Sequence, residues 1–171
     1  NTRLNKTHCS IFRKDRNIPL GGGVWIIVND LSVKAVNVQI DPSFSDLDIV
    51  CIDIVNTNQR IRVINCYRPP SSDTDVTAVV SVRKLVKCLE QLCETDATIV
   101  LAGDFNMPYI NWNCPILISD IDRCSAVFNE FICLFAFNQY ITENTRYNKT
   151  ILCDAGPATP GSILDLVFCN D

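Results

Sequence analysis

At 171 residues the chain is long enough for one domain with a real core, or for most of a larger one, and 47% of it is hydrophobic. Its 15 basic and 19 acidic residues leave a formal charge of −4, so nothing suggests a broadly basic nucleic-acid-binding surface. The longest apolar runs fall far short of a membrane span, and no membrane association is expected.

The chain opens Asn-Thr-Arg-Leu-Asn, with neither an initiating Met nor a charged-then-apolar signal segment, so it is expected to begin inside a longer product. The ten cysteines contain no C-x-x-C pair, and the single histidine, His8, cannot build a mixed zinc site. Cys51, Cys66, Cys133 and Cys169 lie in apolar runs, where cysteine packs as a small hydrophobe. Reduced, structural thiols in an intracellular protein are expected. Without a secretory signal, Asn5-Lys-Thr7 and Asn148-Lys-Thr150 read as chance glycosylation sequons.

Residues 1–20 are polar and broken by Pro19, and Arg13, Lys14, Asp15 and Arg16 read as a solvated loop. Gly21 to Gly23 turn the backbone into a buried strand, Val24–Val28. No G-K-[ST] follows and a strand comes next, so the glycines read as a turn rather than a phosphate cradle. Val33–Ile40, Leu47–Val55 and Ile61–Tyr67 are further strands, and their close succession implies antiparallel pairing. The last ends in Tyr67-Arg68-Pro69-Pro70, whose prolines stop pairing and stiffen the exit. They hold Tyr67 and Arg68 at the strand's end, on the sheet edge where Asp104 is placed. A phenol and an arginine fork are both good phosphate donors. Taken locally, a half-buried strand aromatic and a surface charge are the simpler reading.

Ser71–Asp75 offers caps for a helix in which Val79, Val82, Val86, Leu89 and Cys93 recur at three- and four-residue steps. A buried strand follows, Thr98 to Asp104, breaking at Gly103-Asp104-Phe105-Asn106 into a polar turn. Strand alternation would point Asp104 and Asn106 the same way, a carboxylate and an amide facing one target. A strand ending in an Asx-turn is an equal alternative. Residues 107–122 are loop-like. A second amphipathic helix runs near Arg123–Phe137 with Val127, Phe131 and Leu134 inward, and Phe135 and Phe137 belong to the core. Residues 143–161 are polar and Gly/Pro-rich and carry Thr145-Arg146. In the final strand, Ser162–Cys169, Asp165 interrupts apolar sequence, and a buried carboxylate there needs a partner or a metal.

Phe12-Arg-Lys-Asp-Arg16 with the triple glycine and Val24, then Tyr67-Arg-Pro-Pro70, Gly103-Asp-Phe-Asn106, Thr145-Arg146 and Leu164-Asp-Leu-Val167, occur in one order. In that order they resemble the endonuclease/exonuclease/phosphatase superfamily, specifically the endonuclease domain of non-LTR (LINE-type) retrotransposons. The resemblance covers nearly all of residues 1–171 as a single domain. It implies a DNase-I-like four-layer α/β sandwich, two mixed β-sheets face to face with helices outside, here incomplete. It also implies Mg²⁺- (or Mn²⁺-) dependent hydrolysis of DNA phosphodiesters, nicking a target to prime reverse transcription. DNA and a linked reverse-transcriptase domain are the implied partners, and the nucleus the implied location.

By matching position, Asp104 would activate and place the attacking water and share the metal, Asn106 would hold that water or a phosphate oxygen, and Tyr67 would bond the scissile phosphate. Asp165 would orient a histidine. Arg68, Thr145 and Arg146 would lie near the DNA or its phosphates. The family's early metal-binding Glu and its final Ser-Asp-His triplet have no counterpart in these 171 residues, and His8 lies at the wrong end to substitute. The expectation is therefore a domain truncated at both ends with little or no activity, because such residues act as a unit. The alternatives are a sugar- or lipid-phosphate phosphatase of the same superfamily and a non-catalytic remnant that binds without turnover.

Overall fold

The computed structural model describes residues 8–16, 22–55, 59–108, 110, 112, 123–146 and 162–170. Within them, strands β1 (Cys9–Asp15) and β2 (Gly23–Asn29) form an antiparallel hairpin. Strands β3 (Ala35–Asn37), β4 (Asp48–Ile54), β5 (Ile61–Tyr67), β6 (Thr98–Asp104), β7 (Asn138–Gln139) and β8 (Asp165–Cys169) form a mixed sheet in the order β3-β4-β5-β6-β8-β7. Helices α1 (Val76–Cys93) and α2 (Cys124–Leu134) complete the elements, with a short 3-10 turn at Pro42–Phe44.

The consecutive strands β3, β4 and β5 pair antiparallel, as expected, whereas β5 and β6 run parallel because α1 carries the chain back between them. Every second residue of β5 is buried, as a strand with two unlike faces requires. Ile64 and Cys66 of β5, Ile99 and Leu101 of β6, and Leu166 and Phe168 of β8 meet the apolar faces of both helices in one core. Val79, Val82, Val86, Leu89 and Cys93 of α1 are buried there, as their spacing predicts. The opposite sheet face carries the β1–β2 hairpin, fastened where Asn65 Nδ2 donates to the Trp25 carbonyl at 2.9 Å. Helices, sheet and hairpin are three layers of an incomplete α/β sandwich.

The caps differ in range. Asp75 caps α1 through the Thr77 and Ala78 amides at 2.8 and 3.1 Å. The first turn of α2 is held from across the molecule: buried Asp73 accepts from the Ser125 amide at 2.9 Å and its hydroxyl at 2.8 Å. Phe105, Phe128 and Phe168 lie with ring centroids 4.8–6.0 Å apart, and Phe137 extends this cluster, so its core assignment holds.

Three expectations are corrected. Arg13 to Asp15 are not a solvated loop but the end of β1. Lys14 faces inward and donates to the carbonyls of Ser45 and Leu47, so a charged side chain occupies a position where apolar patterning would mark a strand. Leu134 is 69% exposed, and Phe128 takes the inward place instead. The predicted strand Val33–Ile40 shortens to Ala35–Asn37. The two sequons lie outside the described residues.

Candidate functional site

Four neighbouring strands place one polar residue each in a single cross-sheet row. Asp48 of β4 is the partner of Tyr67 of β5, Tyr67 of Asp104 of β6, and Asp104 of Asp165 of β8. Cys66 and Leu166, their neighbours along the strands, face the helices, so alternation turns the row to the hairpin side. There, Tyr67, Asp104, Asp165 and Thr145 line a cleft of about 470 Å³ whose other wall is Gly23, Val24 and Trp25 of β2.

Gly103 lets this happen. A Cβ on it would sit 1.9 Å from the Cys66 carbonyl oxygen, and its φ of +152° is one that side-chain-bearing residues rarely adopt. Strand β6 therefore approaches β5 closely at the residue before the carboxylate.

Asp104 is half-buried. Burial first, and then the carboxylate of Asp165, push its pKa up; the bonds from Asn106 and the charge of Arg146 oppose this. The Asx-turn alternative is realised, since Asp104 Oδ1 accepts from the Asn106 amide at 3.2 Å. The expectation that alternation aligns Asp104 with Asn106 is corrected. The chain has left the strand at Asn106, which adopts φ +48° and is buried, its Nδ2 donating to the Arg68 carbonyl at 2.7 Å. Asn106 Oδ1 instead meets Arg146 Nη1 at 3.5 Å, which brings the exposed Arg146 to the cleft's edge.

Arg68 is neither a surface charge nor a cleft residue. Its buried guanidinium donates to the Asn106 carbonyl at 2.8 Å, the Phe105 carbonyl at 3.3 Å and the Ser71 hydroxyl. It braces the loop that carries Asn106, and its donors are spent there. Thr145 Oγ1 accepts from the amides of Leu164 and Asp165 at 3.0 and 3.1 Å and so fixes the start of β8. Asp165 itself is exposed, which corrects its reading as a buried carboxylate: as the first residue of β8 it opens into the cleft.

Sequence reasoning missed Arg16 and Asp48. Arg16 Nε donates to Asp48 Oδ2 at 2.5 Å, and its Cζ lies 4.0 Å from the Tyr67 ring centroid. The pair joins hairpin to sheet across 32 positions, and the cation sits on the phenol's face. No local pattern announces a contact of that range. His8 stands beside Cys9, the β1 residue opposite Asn29, at the far end of the hairpin from Gly23 and the cleft.

Among the described residues no group of three His, Cys, Asp or Glu side chains is placed to hold a metal ion. Asp104 and Asp165 are the carboxylate pair of the cleft. Two adjacent like charges with no ion pair of their own among the described residues suit a hard cation that keeps waters and takes its remaining oxygens from a substrate phosphate.

The chain superposes on the endonuclease domain of TRAS1, a telomere-specific non-LTR retrotransposon, with a TM-score of 0.60 at 15% identity, over 94% of this chain and 66% of that one. An endonuclease/exonuclease/phosphatase family protein from Leptotrichia buccalis gives 0.56 at 14% identity, over 98% and 62%. The human Nocturnin catalytic domain gives 0.54 at 10% identity, over 96% and 62%. The chain thus spans just under two thirds of the length of each, and likeness at this identity shows the fold. No curated protein matches. A family described as endonuclease-reverse transcriptase matches residues 61–171, which take in every strand of the cross-sheet row except β4. By that match and the fold it shares, the chain belongs to the endonuclease-reverse transcriptase family of the endonuclease/exonuclease/phosphatase superfamily.

Proposed function

We propose that the cleft binds and hydrolyses a DNA phosphodiester, as the nicking module of a non-LTR retrotransposon whose full product includes a reverse transcriptase and works on chromosomal DNA in the nucleus. The observation that carries this reading is the row of Tyr67, Asp104 and Asp165 at three adjacent strand tips, facing one cleft of about 470 Å³. Phosphoryl transfer asks for an attacking water held in line and for negative charge to be neutralised. Asp104, with its pKa raised, is suited to accept a proton from that water. The Tyr67 hydroxyl donates to a non-bridging phosphate oxygen. Arg146 adds positive charge at the rim, and Asn106, bonded to Arg68 and Arg146, holds the turn between them. Mg²⁺ or Mn²⁺, held by Asp104 and Asp165, would supply further neutralisation of the phosphoryl oxygens. Thr145 sets the position of Asp165 through two backbone amides, and Arg68 acts through the loop rather than on the substrate.

A second reading, binding with little turnover, is favoured by the donor set. Among the described residues no third metal ligand joins the two carboxylates, and His8 lies at the far end of the hairpin. The two readings separate in one experiment. The chain is incubated with supercoiled plasmid and Mg²⁺, alone and with Asp104→Ala. Slow nicking that Asp104→Ala reduces by a further 100-fold or so supports catalysis in this cleft. A salt-dependent gel shift without nicking supports binding alone. Release of inorganic phosphate from phosphoinositides, with no action on DNA, would replace the nuclease reading with a phosphatase.

A further inference from the structure

We infer that Trp25 is a stacking platform for an unstacked nucleobase beside the cleft, and that a bound single strand of nucleic acid continues from it over the outer face of the β1–β2 hairpin. This rests on the phosphodiester reading of the cleft and names the substrate class more closely: a polynucleotide, not a small sugar phosphate.

The indole of Trp25 is 58% exposed, although the residue sits between buried Val24 and half-buried Ile26. Trp25 belongs both to the cleft that holds Tyr67 and Asp104 and to a second groove of about 470 Å³ along the outer hairpin face, with Arg13 and Ile27. The two grooves meet at Gly23, where no side chain rises. A Cβ there would lie 2.2 Å from the Lys14 carbonyl oxygen, so the saddle stays low. The platform is also rigid: the Trp25 carbonyl is bonded to Asn65 of β5, and Trp25 is the β-ladder partner of Arg13.

Every base has a π-face, so a fixed exposed indole next to a phosphate site selects nucleic acid without selecting sequence. Arg13 adds charge to the same path. Its guanidinium is 2.8 Å from Asp15, with both side chains about two thirds exposed (66% and 62%). A pair so exposed is weak, and a phosphate oxygen replaces the carboxylate at little cost.

The test is tryptophan fluorescence of the 171-residue chain titrated with a single-stranded DNA oligonucleotide of about 12 nucleotides, within the usual site size for such surfaces. Quenching is expected, and Trp25→Phe should abolish the signal while keeping affinity, because Trp112 is packed among Phe128 and Phe168. Trp25→Ala, read by anisotropy of a labelled oligonucleotide, should weaken binding roughly 5- to 150-fold, the equivalent of about 1–3 kcal/mol per stacked base. An oligomer of abasic nucleotides, with the phosphates but no bases, should bind the parent chain as weakly as DNA binds Trp25→Ala. Equal affinity of parent and Trp25→Ala for DNA overturns the platform and leaves the cleft reading standing. No binding of DNA by either chain overturns both. Dimerisation in sedimentation that Trp25→Ala abolishes overturns the platform in favour of a contact between copies of the chain.

Discussion

The two ends of the central sheet treat charge in opposite ways. Where β5 begins, Asp53 is buried and fully served: Arg62 donates to it through Nε at 2.7 Å and Nη2 at 3.0 Å, and Arg60 through Nη2 at 2.8 Å. Arg62 then donates to the Leu92 carbonyl in the last turn of α1, so one guanidinium ties sheet to helix. Where β5 ends, Asp104 and Asp165 stand side by side and form no ion pair among the described residues. The hydrogen bond from Arg62 holds the Asp53 carboxyl below its usual range, whereas burial and Asp165 push Asp104 up. One end is built for the fold. The other keeps an unfavourable arrangement, as sites do where chemistry needs it.

The contrast is best broken at its closed end. Asp53→Ala leaves the Arg62 guanidinium buried and unpaired, and should cost about 3–5 kcal/mol in urea unfolding. A loss below about 1 kcal/mol would show that the pair is not what holds that end. Next in size is Gly103→Ala, which drives a Cβ into the Cys66 carbonyl and should cost about 2–3 kcal/mol by separating β5 from β6. Thr145→Val removes the acceptor for two amides at the start of β8. A loss of about 1–2 kcal/mol is expected, with nicking reduced more than stability alone explains, because Asp165 loses its register.

The smallest effect has the opposite sign. Asp104→Asn relieves a like-charge pair lying directly across two strands and should stabilise the chain by about 0.2–1 kcal/mol at neutral pH, while abolishing any nicking. Acid titration sharpens the same point. The folded-state pKa of Asp53 is depressed, so its contribution is full above the unfolded carboxylate value near 3.9 and is lost as pH falls below it. The folded-state pKa of Asp104 is raised, so its ionised form destabilises at neutral pH, and that penalty fades as pH falls through the raised value. Unfolding measured from neutral pH downward should therefore show a small gain that Asp104→Asn removes, followed by a loss that Asp53→Asn removes.

Much of the molecule was legible from residues close together in the chain. The apolar runs of β2, β4, β5 and β6, the apolar face of α1 with its Asp75 cap, and the Gly103-Asp104 turn each depend on a few neighbouring positions, and local sterics and side-chain period decide them. The order of five short motifs carried the family. Other features depend on partners that the chain supplies some 30 or more residues away. β1 is a strand because Lys14 and Arg16 find carbonyls and a carboxylate at positions 45–48. Arg68 turns inward because the carbonyls of Phe105 and Asn106 need donors. The row of Asp48, Tyr67, Asp104 and Asp165 exists only through strand register, which brings four distant positions onto one line. Sequence alone determined which residues bear the chemistry and which segments extend or coil. The tertiary structure decided which of those residues face the cleft and which are spent inside, because a polar side chain's role is set by the partner that reaches it.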